Sequence, residues 1–232
     1  MNGINRFFRQ QRPDRRILYP LGLVSFCLWL FMSIAEQVLE GDSNALDLRI
    51  LLAMRADGSA TIGSNAAGIQ AILRDITALG SSVVLAGVAV VVVLYLVVAG
   101  RRSAAWFVLL ATGSGGLATV VLKWMFDVPR PRLMAHGDYV LSSSFPSGHT
   151  MASAVVYLTV GALLTELLPE RRLKVYVMTI AALLTGMVGI SRVYLGVHWP
   201  TDVLAGWAGG AFWAVTWWLL AKRLRLEPGH KT

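Results

Sequence analysis

Two histidines, three cations and an aspartate stand in this 232-residue chain at spacings that suit the transfer of a phosphoryl group. Lys123, Arg130 and Pro131 form K-x6-R-P, Pro146, Ser147, Gly148 and His149 are consecutive, and Ser191, Arg192, His198 and Asp202 form S-R-x5-H-x3-D. Lys123, Arg130 and Arg192 supply three positive charges, and two of them are guanidiniums whose planar donor fork matches phosphate oxygens. Ser147 reads as an N-cap. Gly148, at the first helical position, leaves backbone N–H groups pointing outward, which makes the helix start a site for an anion. His149 then lies beside the anion, and His198 reaches it from another junction, just before a helix begun by Pro200. Asp202, four residues after His198, is near enough to accept a hydrogen bond from one ring nitrogen. Such a bond fixes the tautomer and makes the other nitrogen the better nucleophile.

Taken singly, each residue has a plainer explanation. An interfacial Lys or Arg snorkels to headgroups, a Ser at a helix start is only a cap, and a His near an interface packs or is solvated. The chemical reading therefore depends on whether the three clusters meet, and that is decided by the elements that carry them.

Hydrophobic residues make up 56% of the chain and charged residues only 15%, a balance outside that of soluble globular domains. A bilayer core about 30 Å thick needs roughly 20 apolar residues per helix. Runs of about that length recur six times, at 17–38, 83–99, 104–122, 149–168, 175–190 and 202–221. The second and fifth are short and extend into their flanks or tilt little. The runs are continuously apolar and do not alternate, so a β-barrel is excluded. The expected fold is all-α: a polytopic membrane protein with six transmembrane helices in a bundle. Ser33-Ile34-Ala35 resembles a signal-peptidase site, but the first apolar run is longer than a typical h-region of roughly 7–15 residues and reads as an uncleaved span.

A net charge of +8 would also suit a nucleic-acid binder, so placement has to decide. Arg6, Arg9, Arg12, Arg15 and Arg16 precede the first run, Arg101 and Arg102 follow the second, Arg171, Arg172 and Lys174 follow the fourth, and Lys222, Arg223, Arg225 and Lys231 follow the sixth. All lie on one side of a six-span arrangement, which excludes nucleic acid as the partner and puts both termini in the cytoplasm. Arg49, Arg55, Arg74, Lys123, Arg130, Arg132 and Arg192 fall on the other side. Three of these belong to the motifs, so topology alone brings the three clusters to one outer face.

The chain reads as one membrane domain, 17–221, between a basic cytoplasmic segment, 1–16, and a basic cytoplasmic tail, 222–232. In the outer stretch 39–82, Ile69, Ile72, Leu73, Ile76 and Gly80 share a helical face while Gln70, Arg74 and Thr77 fall elsewhere. An amphipathic helix is expected there, and a second piece at 45–54 in the headgroup layer, serving as a connector or as a gate for lipid. Asp75 and Thr77 stand where they line the pocket mouth or simply lie at a helix start. Arg132 and Asp138 contact a headgroup or solvate their loop. Gly113, Gly115, Gly116, Gly206, Gly209 and Gly210 read as positions where helices approach closely. With one cysteine, Cys27, in the first span, there is no disulfide framework.

At the three clusters the sequence resembles the type 2 phosphatidic acid phosphatase family, whose signature K-x6-R-P, P-S-G-H and S-R-x5-H-x3-D is matched without a substitution between Lys123 and Asp202. The resemblance implies that His198 attacks phosphorus to form a phosphohistidine, that Asp202 orients it, and that His149 protonates the leaving oxygen and later activates water. It implies that Lys123, Arg130, Ser147, Gly148 and Arg192 bind the phosphate, with Ser191, Pro131 and Pro146 in support and Ser191 hydrogen-bonding to that shell. It further implies catalysis without a metal or other cofactor.

Soluble acid phosphatases and vanadate-dependent haloperoxidases carry the same signature, so the membrane setting is what selects a lipid phosphate as substrate. A lipid can enter laterally while its tail stays in hydrocarbon. The expected protein is a bacterial-type inner-membrane phosphatase working at the periplasmic or exterior face on undecaprenyl diphosphate, phosphatidylglycerol phosphate or phosphatidic acid. A phosphotransferase using the same site is the near alternative. A small transporter is the alternative from another class, and it leaves the outer His, Arg and Ser cluster unexplained, because transporter sites lie near the midplane. Membrane lipids are the expected surroundings, and the sequence names no protein partner.

Overall fold

The computed structural model describes residues 15–41, 44–56, 64–131 and 143–224. The basic residues before Arg15 and after Leu224, with Arg132 and Asp138, lie outside the described residues. Eight helices follow one another: α1 (Arg15–Glu40), α2 (Asn44–Ala56), α3 (Ser64–Ala78), α4 (Ser82–Val98), α5 (Arg102–Phe126), α6 (Gly148–Leu167), α7 (Arg171–Tyr194) and α8 (Pro200–Arg223). No strand occurs among the described residues.

Five helices are long and apolar enough to cross a bilayer, within Leu18–Glu40, Arg102–Phe126, Gly148–Leu167, Arg171–Tyr194 and Pro200–Arg223. The chain is therefore an all-α polytopic membrane protein. The run expected at 83–99 is different. α4 has 17 residues, short of a full crossing by itself, and it reaches that length only together with α3, from which it is bent by 42°. The break falls at Leu79–Ser81, where Leu79 N bonds Ile76 O and Gly80 N bonds Thr77 O in a last tight turn before Ser81 Oγ caps α4 by accepting from Val84 N at 3.3 Å. The amphipathic helix expected before span two is thus one arm of a bent pair, a broken span or a re-entrant loop.

The bundle exposes large apolar side chains over its flanks, with Trp29, Val91, Leu117 and Trp124 all more than half exposed, as a lipid-facing surface requires. Its interior is built around α6, which packs on α4, α5, α7 and α8, while α1 packs on α8. Small residues set these distances. A methyl group on Gly210 would collide with Ala154 Cβ and come within 2.7 Å of Met151 O, one on Gly115 would reach Val155 Cγ1 at 2.6 Å, and one on Gly206 would stand 3.1 Å from Ser147 O. The α6–α8 contact is therefore almost backbone to backbone just below the motif residues. Gly209 touches Phe31 of α1 more loosely, with a ring carbon 3.3 Å from where a methyl would sit. Gly113 and Gly116, expected to pack in the same way, face open space. Their helix turns its Gly115 face inward, and the neighbours at two and one positions away point elsewhere.

The motif residues collect at one end of the bundle, because α5 and α7 end there and α6 and α8 begin there. Gly196, with φ of 69°, takes the left-handed turn that ends α7, its N–H closing on Val193 O at 2.8 Å. The chain then doubles back to present His198 ahead of α8.

Candidate active site

Phe145 and its aromatic neighbours place the central loop. Its ring is fully buried, 4.9 Å from Phe126 of α5 and 5.8 Å from Phe31 of α1 between centroids. Ser144 N bonds Val128 O at 2.7 Å, and Val128 N bonds Ser143 Oγ at 2.9 Å, so the segment after α5 and the segment before α6 run side by side. Pro131 and Pro146 are both buried in this junction. Ser147 N then bonds Asp202 O at 3.0 Å, tying the start of α6 to the start of α8.

Around this frame the predicted residues come together. His198 is almost wholly buried, and its Nδ1 lies 3.2 Å from Asp202 Oδ2. Its Nε2 lies 3.2 Å from Arg130 Nη1. A guanidinium can only donate, so Nε2 accepts and carries the lone pair, and Nδ1 holds the proton that it gives to Asp202. The neutral ring is thereby set in one tautomer. Burial foremost, then the charges of Arg130, Arg192 and Lys123, hold the His198 pKa well below its usual value, which keeps the ring neutral.

Arg130 Nη1 also donates to Val197 O at 3.0 Å, and Nη2 to Ser143 O at 3.4 Å. Burial pulls the Arg130 pKa down, with the Asp202 charge opposing. Lys123, in the last turn of α5, donates from Nζ to Ser143 O at 2.6 Å. Its stem passes Gly148 closely, so that a methyl group there would meet Lys123 Cε at 2.9 Å. Arg192, in the last turn of α7, donates from Nη1 to Thr77 Oγ1 at 3.3 Å, and its buried Nε–H has no partner among the described residues. Gly80 brings the α3–α4 elbow onto the same group, because a methyl there would lie 3.2 Å from His149 Cβ.

Ser147 occupies the N-cap position of α6 with extended backbone, but its hydroxyl makes no capping bond and instead pairs with Thr150 Oγ1 at 2.8 Å. The cap expected from the sequence is therefore positional only, and the first N–H groups of α6 are left for another acceptor. Ser191 was expected to brace the phosphate-binding shell. The bond it makes is to Val188 O, 2.6 Å away in its own helix, because a serine one turn along a buried helix finds that carbonyl first.

The sequence reading missed Ser144 and did not separate Thr77 from a helix-start residue. Ser144 Oγ donates to Asp202 Oδ2 and stands 3.3 Å from His198 Nδ1. That oxygen also accepts from Trp199 N at 2.9 Å, while Oδ1 is buried without a partner among the described residues. The run Ser142-Ser143-Ser144 offered no periodicity to single out one member. Among the described residues no three His, Cys, Asp or Glu side chains group as metal ligands.

Comparison with known proteins gives the family and the fold. Residues 104–225 match the model of the PAP2 superfamily. Phosphatidylglycerophosphatase B of Bacillus subtilis is 42% identical over 107 residues, which is 44% of this chain and 50% of that protein. Undecaprenyl-diphosphatase of Sulfolobus acidocaldarius is 36% identical over 97 residues, 40% of this chain and 43% of the relative. The match thus spans about half the length of these curated relatives or less. The crystal structure of a transmembrane PAP2 type phosphatidylglycerolphosphate phosphatase from Bacillus subtilis superposes with a TM-score of 0.75 at 29% identity, over 88% of this chain and 96% of that one. Aquifex aeolicus LpxE shares the fold, with a TM-score of 0.53 at 22% identity over 75% of this chain and 95% of its own.

Proposed function

The chain belongs to the PAP2 superfamily, and on that premise we propose that it is a lipid phosphate phosphatase that works through a phosphohistidine at the outer face of a bacterial inner membrane. What carries the reading is the line Arg130, His198, Asp202: a buried neutral imidazole, its proton held by a carboxylate and its lone pair turned toward a cation that suits phosphate.

When a phosphate takes the place beside Arg130, His198 Nε2 attacks phosphorus and the bond to the lipid oxygen breaks. His149 supplies the proton that the leaving oxygen needs. The Nδ1 proton stays shared with Asp202, which stabilises the positive charge that the ring gains. Water then attacks phosphorus with His149 as base, the P–N bond breaks, and inorganic phosphate leaves. Lys123, Arg130, Arg192 and the first N–H groups of α6 at Gly148 and His149 offset the charge on the equatorial oxygens, the dominant demand in phosphoryl transfer. The buried Arg192 Nε–H, without a partner among the described residues, can donate to such an oxygen.

Counting the α3–α4 pair as one crossing, we read both termini as cytoplasmic and the site as outside, a reading supported by Arg101, Arg102, Arg171, Arg172, Lys174, Lys222 and Arg223 at the ends of helices opposite the motifs. The membrane domain is 17–221, flanked by the basic segments 1–16 and 222–232. Phosphatidylglycerol phosphate and undecaprenyl diphosphate are the first substrates to try, because relatives named for these activities match the motif region, and phosphatidic acid is the third. The deciding experiment is phosphate release by the purified protein from each lipid in the presence of EDTA, with His198→Ala beside it. Release from at least one lipid, lost in the variant, supports the proposal. No release from any lipid, or equal release by the folded variant, overturns it. Labelled donor lipid distinguishes hydrolysis from transfer to a second lipid.

A further inference from the structure

α2 belongs to no motif, yet it carries a carboxylate that reaches the helix bearing Asp202. Asp47 is 2% exposed. Its Oδ1 accepts from Thr201 N at 3.1 Å and its Oδ2 from Thr201 Oγ1 at 2.6 Å, across 154 positions of sequence. Thr201 directly precedes Asp202 in the first turn of α8.

That turn has no acceptor of its own for the Thr201 N–H. The residue at the N-cap, Trp199, offers only an indole donor, which goes to Pro129 O at 3.2 Å. Pro200 has no N–H to satisfy. Asp202 is the one acidic side chain in the first turn, and its Oδ2 already takes Trp199 N, Ser144 Oγ and His198 Nδ1 while its Oδ1 has no partner among the described residues. A free N–H on Thr201 would draw that carboxylate toward the helix terminus and away from the imidazole. Asp47 removes the competition by supplying a second carboxylate from outside the helix, where the helix dipole favours it.

The remainder of α2 fits a fixed strut. Asp47 and Leu51, one turn apart, are buried, whereas Leu46, Leu48 and Leu52 are exposed and apolar, as on a helix lying in the headgroup layer.

We propose that Asp47 is a positioning residue for the catalytic pair, holding the first turn of α8 through Thr201 so that Asp202 stays aligned with His198. The inference rests on the reading of His198 and Asp202 as that pair. Lys123, Arg130 and Arg192 sit on other elements, so phosphate binding is left largely intact when Asp47 is lost.

The test uses the full chain in nanodiscs, with whichever of phosphatidylglycerol phosphate, undecaprenyl diphosphate and phosphatidic acid is turned over fastest. Asp47→Ala, Asp47→Asn, Asp202→Asn and the double variant Asp47→Ala with Asp202→Asn are compared for kcat and KM, with elution profile and Tm as the record of folding. Misplacement of a catalytic group by about 1 Å can cost about 10²-fold, so Asp47→Ala should lower kcat by roughly 10- to 100-fold with KM within about twofold. Asp47→Asn should lie between it and the parent, since its amide oxygen can still accept the Thr201 N–H. In the Asp202→Asn background the further loss from Asp47→Ala should shrink to less than about threefold, because two residues acting in series are not additive. A parental kcat in folded Asp47→Ala overturns the inference. So do losses that multiply in the double variant, or failure of both Asp47 variants to fold, each of which would make Asp47 a structural residue. If Asp202→Asn itself keeps full activity, the proposed catalytic pair is wrong, and the inference falls with it for that separate reason.

Discussion

Ser144 donates its hydroxyl to the Asp202 oxygen that also receives His198 Nδ1, although the two residues are 58 positions apart and belong to different motif junctions. Removing this donor leaves a buried carboxylate short of one of its bonds, and a hydrogen bond to a charged group contributes about 1.5–3 kcal/mol. Ser144→Ala is therefore expected to lower kcat by roughly 10- to 100-fold while KM changes little, since Ser144 lies on the Asp202 side of the ring and away from Arg130. Steady-state kinetics on the folded variant check this, and an unchanged kcat would remove Ser144 from the mechanism.

Arg130 should not be replaceable by lysine. Its two terminal nitrogens divide between Val197 O, His198 Nε2 and Ser143 O, a geometry that needs the planar fork. Arg130→Lys should raise KM and weaken inhibition by orthovanadate by about tenfold or more. Vanadate titration measures the phosphate site directly, and equal inhibition of parent and variant would mean that Arg130 does not bind the anion.

The pH dependence has a defined sign. In the proposed mechanism neutral His198 is the attacking form, and burial with neighbouring positive charge lowers its pKa. More than half of the free enzyme then carries neutral His198 at pH 6.5, the usual value for histidine. The acid limb of kcat/KM, which reports the free enzyme, should fall below pH 6.5, at that depressed value, while loss of the proton that His149 must donate sets a separate basic limb. Profiles for a monophosphate and a diphosphate lipid separate this limb from ionisation of the substrate. An acid limb above pH 6.5 for both substrates would contradict the assignment.

Gly80 and Gly113 should respond oppositely to alanine. A methyl group on Gly80 would collide with Val188 and press on His149, whereas one on Gly113 meets nothing within 4 Å. Gly80→Ala is expected to lower both Tm and turnover, and Gly113→Ala to leave both close to the parent. Thermal unfolding of the purified variants, read beside phosphate release, tests the elbow between α3 and α4 as a wall of the site.

Topology can be read with single cysteines in a Cys27→Ser background. Glu40 and Glu170 are exposed at opposite ends of the bundle. An impermeant maleimide added to intact cells should label Glu40→Cys and spare Glu170→Cys. The reverse pattern would place the site on the cytoplasmic side.

The sequence alone was enough to define the membrane class, the helical runs, and the identities of the residues that gather at one end. The runs at 17–38, 104–122, 149–168, 175–190 and 202–221 correspond to α1 and α5 through α8 within a few residues. The transfer of apolar helix into lipid is a local, additive free energy, and alternation of helices then assigns each junction to an end. Partner choice is not local. Nothing along the chain distinguishes Ser144 from Ser143, shows that Asp47 faces Thr201, turns Gly115 inward while Gly113 faces out, or bends the chain between α3 and α4 at Gly80. Those outcomes depend on distances between segments far apart in sequence, fixed by backbone contact between α6 and α8 and by the aromatic packing of Phe145. A short polar side chain bonds whichever partner the packed bundle brings within about 3 Å.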